Sequence, residues 1–387
     1  MVTSLYINRK RSYSIWPSNQ DKPGLKRVSS SDALLRHQQA VPRYVDPVDF
    51  PATEEPGAGQ RCFRMPTLTS QSLARFQDHI HSRILQKYPF LIEMFYWALN
   101  YVAYALTKEI AAAIYNKKGH AVTKMAQRNG INILELEHNT FLSFIFPMQE
   151  AALQHFFLKH HRSIMTFFNQ IYSLVHIPGT VAFLSWYYWA APSHSTFAIA
   201  RRTMTLGNFS AFIIFCFYPC MPPRLLPKRF GFKDTVRQDH AESVWVGGAN
   251  VNQLAAMPSL HFTYAFVIGC TFLYHSGLIQ RLRGQSLPGR SMMGMPGFLL
   301  AAVLYPMLVL TVIVATANHY WLDAAVATIS VALAFACNRL WCFLLPAERV
   351  LCWVLRVQKP VPTTGQWREY EAEENHRRKI AVADLTA

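Results

Sequence analysis

The chain has 387 residues, of which 51% are hydrophobic and only 16% are charged. Soluble proteins average about 25% charged residues, and a helix needs about 20 mostly apolar residues to span a bilayer. Residues 163–200 and 257–280 contain no Asp, Glu, Lys or Arg, and residues 297–338 contain only Asp323. The composition and the distribution of charge therefore argue strongly against a soluble globular domain and predict a membrane protein.

Basic residues outnumber acidic ones by 38 to 22, which gives a formal net charge of +16. Nucleic-acid binding would explain this charge, but basic residues that flank membrane helices and meet anionic headgroups explain it better here. The seven cysteines have no metal-ligand spacing, and most lie in apolar runs, which indicates packing residues. We expect a membrane as partner, no nucleic acid, no cofactor and no metal site, while protein partners stay unknown.

The chain divides into three parts by composition. Residues 1–87 are polar, basic and rich in Pro and Ser, and they lack the apolar core of a signal peptide near the start. The first 70 residues are expected to be a largely disordered tail. Residues 88–346 form a membrane-embedded domain, and residues 347–387 form a second tail with a run of acidic residues followed by basic ones.

Long apolar runs predict an all-α polytopic bundle of about six transmembrane helices. The predicted spans cover about residues 88–107, 163–190, 204–221, 259–279, 297–317 and 321–345. Residues 131–158 mix apolar residues with glutamates and a histidine, which favours a helix lying in the interface, or a partly re-entrant one, over a span. The polar loop 222–256 is too long for a simple turn and is a candidate functional loop.

The residues with useful chemistry lie at the ends of these spans. Residues 257–261 open the fourth span, and residues 318–323 join the fifth and the sixth. Arg224 and Lys228 follow the third span. The third span ends, the fourth begins and the fifth ends on the same face of the membrane. The span count alone therefore predicts that these residues converge at one face.

Two of these clusters suit acid–base and nucleophilic chemistry. His319 and Asp323 are four residues apart, so on a continuous helix they share a face. A carboxylate there would fix the tautomer of the imidazole and make its other nitrogen a nucleophile. His261 follows a Pro-Ser pair typical of a helix start and can donate a proton to a leaving oxygen. Asp323 is the strongest of these signals, because a carboxylate within an otherwise uncharged run is costly.

The remaining candidates suit phosphate binding. Ser259 can cap the fourth span, whose first turn presents free N–H groups that attract anions. Arg224 offers a bidentate fork to phosphate, and Lys228 offers a point charge. Each of these residues alone would be an ordinary cap or a headgroup anchor. Together at one face they predict a phosphate site.

The motifs resemble those of the type 2 phosphatidic acid phosphatase superfamily. The Pro-Ser-Leu-His run at 258–261 looks like its second motif, and the pair His319 and Asp323 looks like its third. The run 318–323 is similar to the branch that contains inositol phosphorylceramide synthases and related bacterial membrane proteins. The resemblance covers about residues 90–345. Weaker matches are Tyr218-Pro219, Pro222-Pro223-Arg224, Gly231-Phe232, and Asn169, Tyr172, His176 and Pro178.

The resemblance implies a role for each position. His319 would attack phosphorus and carry a phosphohistidine, and Asp323 would orient its ring. His261 would protonate the leaving group and later deprotonate the acceptor. Ser259 and the backbone beside it would hold phosphate oxygens, while Arg224 would supply positive charge.

The sequence departs from the superfamily pattern at three positions. Phe217 stands where the first motif has a lysine, Ile313 where the third has an arginine, and Leu260 where the second usually has glycine. The ceramide-type branch resembles this chain in lacking that arginine. The phosphate site would then be completed by a substrate group or by a residue of the following loop: Lys228, Arg229 or Lys233.

These features predict a metal-independent membrane enzyme with a lipid phosphate as substrate and a lipid alcohol as acceptor. The first hypothesis is a transferase that moves a phosphoinositol-type head group onto a lipid hydroxyl such as that of ceramide. A lipid-phosphate or polyprenyl-phosphate phosphatase is the second hypothesis, and a non-catalytic scaffold or transporter is the third. We expect an endomembrane location, Golgi or endoplasmic reticulum, with cytosolic tails and a lumenal site, although basic residues near the span ends are balanced between the two faces.

Overall fold

The structure is a computed structural model that describes residues 2–10, 13–16, 73, 75–116, 120–139, 141–235, 254–284 and 294–365. Within these ranges the chain forms thirteen α-helices, several 3₁₀ turns and one π-helical segment, Ile171–Val175. The prediction of an all-α protein is confirmed for this part of the chain. The helices are α1 (Val2–Ile7), α2 (Ile80–Lys87), α3 (Phe90–Asn116), α4 (His120–His138), α5 (Glu150–His160), α6 (Arg162–Gln170), α7 (His176–Ala190), α8 (His194–Phe217), α9 (Leu260–Ser276), α10 (Leu278–Leu282), α11 (Gly294–Ala315), α12 (Trp321–Ala336) and α13 (Leu345–Val354).

One helix among the described residues is clearly long and apolar enough to cross a membrane. It covers Met295–Ala315 and has a mean hydropathy of 2.6. A second crossing results if Trp321–Ala336 and Asn338–Val354, which meet at a bend of 56°, form one broken span. The predicted second span is interrupted by the π-helical segment, and the fourth is a helix of only 17 residues. Six transmembrane helices therefore stay a prediction.

The predicted interfacial segment 131–158 is not one helix. It contains the end of α4, a 3₁₀ turn at Phe141–Phe144 and the start of α5. The side chains of Phe141 and Phe144 are 79% and 91% exposed. Large apolar side chains exposed beside buried polar groups are typical of a segment that rests in a membrane interface.

The described residues belong to two compact units. The first consists of Met1–Trp97, Ser185–Phe197 and Arg339–Ala387. Within it, the Asn8 side chain donates to the carbonyl of Ser185 at 3.3 Å, and the Thr363 hydroxyl donates to the carbonyl of Asn8 at 2.9 Å. Segments that are far apart in sequence are thus joined in this unit. The predicted division into two tails and a membrane domain stays a prediction, and residues 17–72 and 366–387 lie outside the described ranges.

The second unit consists of Ala98–Leu184 and Ala198–Asn338 and contains every candidate site residue. Its centre is the packing of α9 against α11 and α12. A Cβ atom added at Gly269 of α9 would lie 2.5 Å from Cγ of Pro306 and 2.8 Å from the carbonyl oxygen of Ala302. Small residues allow helix backbones to approach this closely. The side chains buried between these helices are Phe262, Ala265, Val309, Ile313, Val314, Ala324 and Ala327.

Helix α4 is bound to the segment that follows α8. The backbone N–H of Met221 donates to the carbonyl of Ala126 at 3.1 Å, and the Asn129 side chain donates to the carbonyl of Pro219 at 2.8 Å. The buried Tyr320 hydroxyl donates to the carbonyl of Met221 at 2.6 Å. A Cβ atom at Gly130 would lie 2.6 Å from that hydroxyl, so glycine is required for this close approach. The start of α12 is thereby held at a defined position.

Candidate active site

His319 lies in the tight turn between α11 and α12. The backbone N–H groups of Asn318 and His319 both donate to the carbonyl of Ile313, at 3.0 and 3.1 Å. This turn ends α11 and places the imidazole in the interior of the unit, where the residue is only 5% exposed. A histidine enclosed to this degree needs defined hydrogen-bond partners.

The protonated nitrogen of His319 follows from its two partners. Nδ1 lies 2.7 Å from the carbonyl oxygen of Ala256 and 3.2 Å from Oδ2 of Asp323. Both partners are acceptors, so Nδ1 carries the hydrogen and Nε2 keeps its lone pair. Nε2 has no hydrogen-bond partner among the described residues. The arrangement presents Nε2 as a nucleophile.

Asp323 belongs to the first turn of α12 and is fully buried. Its Oδ2 accepts from the backbone N–H of Tyr320 at 3.0 Å as well as from His319. The carboxylate thus caps its own helix and fixes the imidazole in one step. Its other oxygen, Oδ1, is buried without a hydrogen-bond partner in the described part of the chain.

The carbonyl of Ala256 is held in place by a short backbone pairing. Cys220 N–H donates to the carbonyl of Leu254 at 2.8 Å, and Ala256 N–H donates to the carbonyl of Cys220 at 3.2 Å. The pairing is an isolated bridge between Cys220 and Ala255. It connects the segment after α8 to the segment before α9. The His319 ring is therefore oriented by backbone from one segment and a carboxylate from another.

His261 lies in the first turn of α9, two residues after the cap Ser259. The hydroxyl oxygen of Ser259 accepts from the N–H of Phe262 at 3.3 Å, which confirms the predicted cap. The ring centroid of His261 lies 5.8 Å from that of His319. Two imidazoles at this distance can both contact one phosphate group. Tyr172 of the π-helical segment stacks on His261, with ring centroids 4.3 Å apart.

Arg224 lies close to the turn between α11 and α12 that holds His319. Its backbone N–H donates to the carbonyl of Ala317 in that turn at 2.9 Å. Its Nη1 donates to Oδ1 of Asp234 at 3.0 Å. The predicted phosphate-binding cation is thus partly neutralised by a carboxylate. Its Nε donor is buried and has no partner among the described residues. This N–H can donate to a phosphate oxygen without breaking the pair with Asp234.

Asp234 was not singled out in the sequence, and its position depends on three polar side chains. The segment 231–235 is tied to α5 and α6 by bonds that cross between backbone and side chain. The Gln154 amide donates to the carbonyl of Lys233 and accepts from its N–H, both at 2.9 Å. Nε2 of His155 lies 2.8 Å from the carbonyl oxygen of Gly231. The side chain of Asn169 forms hydrogen bonds with the carbonyl and the hydroxyl of Thr235. These bonds hold Asp234 in position to pair with Arg224.

The structure brings most of the predicted site residues together, but not Lys228. His261, His319 and Asp323 lie together, Ser259 caps the helix that carries His261, and Arg224 lies beside the same turn. Lys228 is exposed on a 3₁₀ turn, and no interaction in the described part of the chain links it to either histidine. The apolar stretch 245–249 of the candidate loop falls outside the described residues.

A second cluster of titratable groups contacts the start of α12. Glu137 and Glu150 are fully buried, and the backbone N–H of Leu322 donates to Oε1 of Glu137 at 2.5 Å. His138 Nε2 lies 2.7 Å from Oε2 of Glu150. Burial and then the neighbouring Glu150 carboxyl raise the pKa of Glu137 to about 10. The sequence showed these residues only as polar positions in an apolar segment.

Comparison with known families gives one result. A family model described as the PAP2 superfamily matches residues 131–337, more than half of the chain. The chain belongs to the PAP2 superfamily. The matched range includes both histidines, Asp323 and Arg224. Neither the curated proteins nor the solved structures searched contain a match to this chain.

Membership in the PAP2 superfamily fits phosphatase or phosphotransferase activity on lipid phosphates. Together with the apolar helix Met295–Ala315, it also indicates a membrane protein. The turn that holds His319 in this PAP2 protein and the cap that precedes His261 both lie inside the matched range.

Proposed function

We propose that this PAP2 protein transfers a phosphate-linked head group of phosphoinositol type from one lipid to the hydroxyl of another, such as ceramide. The observation that carries the proposal is the state of His319. Its Nδ1 is committed to two acceptors, its Nε2 has no partner among the residues that the structure describes, and the ring of His261 lies 5.8 Å away. This is the arrangement that a phosphohistidine reaction requires.

The proposed reaction has two steps. In the first, His319 Nε2 attacks phosphorus, the bond from phosphorus to the leaving oxygen breaks, and His261 gives that oxygen a proton. In the second, His261 takes the proton from the acceptor hydroxyl, whose oxygen attacks phosphorus and releases His319. Asp323 stabilises the cationic imidazole that exists between the steps.

Positive charge for the phosphoryl oxygens comes from several sources in this proposal. The Nε donor of Arg224 is buried and without a partner in the described part of the chain. The first turn of α9, capped by Ser259, presents backbone N–H groups beside His261. Lys228 is proposed to approach only when substrate is bound, because its side chain is otherwise exposed. Electrostatic stabilisation of this kind is usually the largest contribution to catalysis.

The low exposure of His319 supports transfer over hydrolysis. A residue that is 5% exposed gives bulk water little access to a phosphohistidine, whereas a lipid hydroxyl can enter from the bilayer. The hydrolase hypothesis remains the alternative, since a phosphatase for long-chain substrates would use the same three residues. A scaffold that has lost activity is the third outcome of the experiment below.

The experiment supplies purified enzyme with phosphatidylinositol that is labelled in its head group, with and without ceramide. A transferase is expected to form a new labelled lipid only when ceramide is present, with little labelled water-soluble product. Release of inorganic phosphate from a lipid monophosphate at a rate independent of acceptor would support the hydrolase. The absence of both products from a folded enzyme would support the scaffold, and His319→Ala provides the blank.

We also propose an endomembrane location, Golgi or endoplasmic reticulum, with cytosolic tails and a lumenal site. An even number of spans places both tails on the face opposite the site. An N-terminal tag on the protein in sealed microsomes should then be digested by added protease. Protection of the tag would reverse the proposed orientation.

A further inference from the structure

The cluster of Glu137, His138 and Glu150 lies outside the residues that the proposed reaction uses. It joins the end of α4 to the start of α5. Each of the three side chains offers one ligand atom, and these atoms all lie within 4.8 Å of one another. Glu137 and Glu150 are 0% exposed. Two carboxyl groups and an imidazole therefore converge on one enclosed point.

Each carboxyl group keeps one oxygen that no donor reaches. Oε2 of Glu137 and Oε1 of Glu150 are buried without a hydrogen-bond partner among the described residues. Neither carboxylate forms an ion pair with a lysine or arginine of those residues. Burying two carboxyl groups side by side is unfavourable unless a proton or a cation lies between them.

We propose that Glu137, His138 and Glu150 bind one divalent transition metal ion, Zn²⁺ in preference to Mn²⁺. The donor set of two oxygens and one nitrogen without thiolate suits both ions, and the general order of affinities places Zn²⁺ above Mn²⁺. Mg²⁺ and Ca²⁺ favour sites made of oxygen alone. One or more water molecules complete the coordination.

The spacing of the ligand atoms fits a shared ion. Protein ligands lie about 2.0–2.2 Å from Zn²⁺, so neighbouring ligand atoms are separated by about 2.8–3.5 Å. His138 Nε2 and Glu150 Oε2 are 2.7 Å apart, a hydrogen-bond distance just below that range, so a small separation of these two atoms would admit the ion. A proton shared between the two carboxyl groups would also neutralise one charge, with the imidazole bonded to Glu150, and the metal measurement below distinguishes the two arrangements.

The bound ion would brace the active site without taking part in its reaction. Glu137 uses its other oxygen, Oε1, to accept from Leu322 N–H, one residue before Asp323. The same turn is also held by Trp321, whose ring N–H donates to the carbonyl of Met148 at 2.8 Å. A metal ion at the cluster would fix the first turn of α12 relative to α4 and α5. Glu137 is thus a positioning residue for Asp323.

The test measures metal directly. The full-length protein, purified in detergent, is stripped with a chelator, loaded separately with ZnCl₂, MnCl₂ or MgCl₂, and separated from free metal. We expect about one zinc ion per chain by mass spectrometry, less manganese and little magnesium. Zinc should also raise Tm, because a ligand that binds only the folded state stabilises it.

Three variants locate the ion. Glu137→Gln and Glu150→Gln should lose the bound zinc and the zinc-dependent rise in Tm. Glu135→Gln, at an exposed glutamate of the same helix, should keep both. If a buried variant does not fold, His138→Gln retains both carboxyl groups and should bind zinc at least about 10-fold more weakly.

The wild-type protein alone can overturn the proposal. A chain that binds no zinc and shows no change in Tm has no metal site here. Zinc retained unchanged by Glu137→Gln would place the ion elsewhere among the histidines and cysteines. If the wild type binds no metal and Glu150→Gln has a higher Tm than the wild type, the two carboxyl groups of Glu137 and Glu150 share a proton instead. None of these outcomes depends on the proposed phosphotransfer.

Discussion

Replacement of His319 by alanine is expected to reduce turnover by at least about 10⁴-fold, because it removes the atom that forms the covalent intermediate. Nε2 is the nitrogen of this ring without a hydrogen-bond partner in the described residues, and Nδ1 is held by Ala256 and Asp323. The substitution also empties a buried space, so folding has to be checked by gel filtration and Tm. Product formation from labelled lipid is the primary measurement.

A second measurement connects the loss to the proposed chemistry. Quenching the wild-type enzyme with alkaline detergent during turnover should trap label on histidine, in a form that is stable to base and labile to acid. His319→Ala should trap none. His160→Ala, at an exposed histidine of α5, should turn over and trap label as the wild type does. Full activity of folded His319→Ala would remove the mechanism altogether.

Asp323→Asn is expected to lower kcat by about 10²–10³-fold. In the classical triad the same change costs about 10⁴-fold, because the histidine adopts the wrong tautomer. Here the carbonyl of Ala256, at 2.7 Å, still requires hydrogen on Nδ1 of His319 after the carboxylate is gone. The variant therefore loses the stabilisation of the cationic ring and keeps the correct tautomer.

The stabilisation of charge by Asp323 and the proton donation by His261 can be separated with a substrate that has a better leaving group than the lipid. A good leaving group needs no proton from His261, but the charge on His319 still develops, so Asp323→Asn should lose a similar factor with both substrates. His261→Ala should lose much less with the activated substrate than with the lipid. A loss of about 10⁴-fold or more in Asp323→Asn would show that Ala256 does not hold the tautomer.

The sequence predicted which residues of the candidate site lie together better than it predicted the membrane topology. His319 and Asp323, four residues apart, lie in contact because the first turn of a helix begins between them. Ser259 caps the helix of His261, as the Pro-Ser pair indicated. The six predicted spans stay a prediction. Apolar run length does not record the π-helical segment, the bend after α12 or the shortness of α9.

The partner of the Arg224 charge could be identified only in the folded chain. Arg224 is readily seen as a phosphate ligand in the sequence, yet its partner Asp234 is positioned by Gln154, His155 and Asn169 of other helices. The balance of positive charge at the site therefore depends on contacts between distant segments. No local pattern around Arg224 indicates them.

The sequence by itself determined that this is an apolar helical chain and which residues are the candidates for acid–base chemistry. Run length reflects burial of apolar surface in a bilayer, and short motifs reflect local helix geometry, so both can be read along the chain. Only the tertiary structure decided which nitrogen of His319 carries the hydrogen, because a backbone carbonyl, that of Ala256, lies against Nδ1. Backbone groups are the same at every position, so their role at a site is fixed only when distant segments meet.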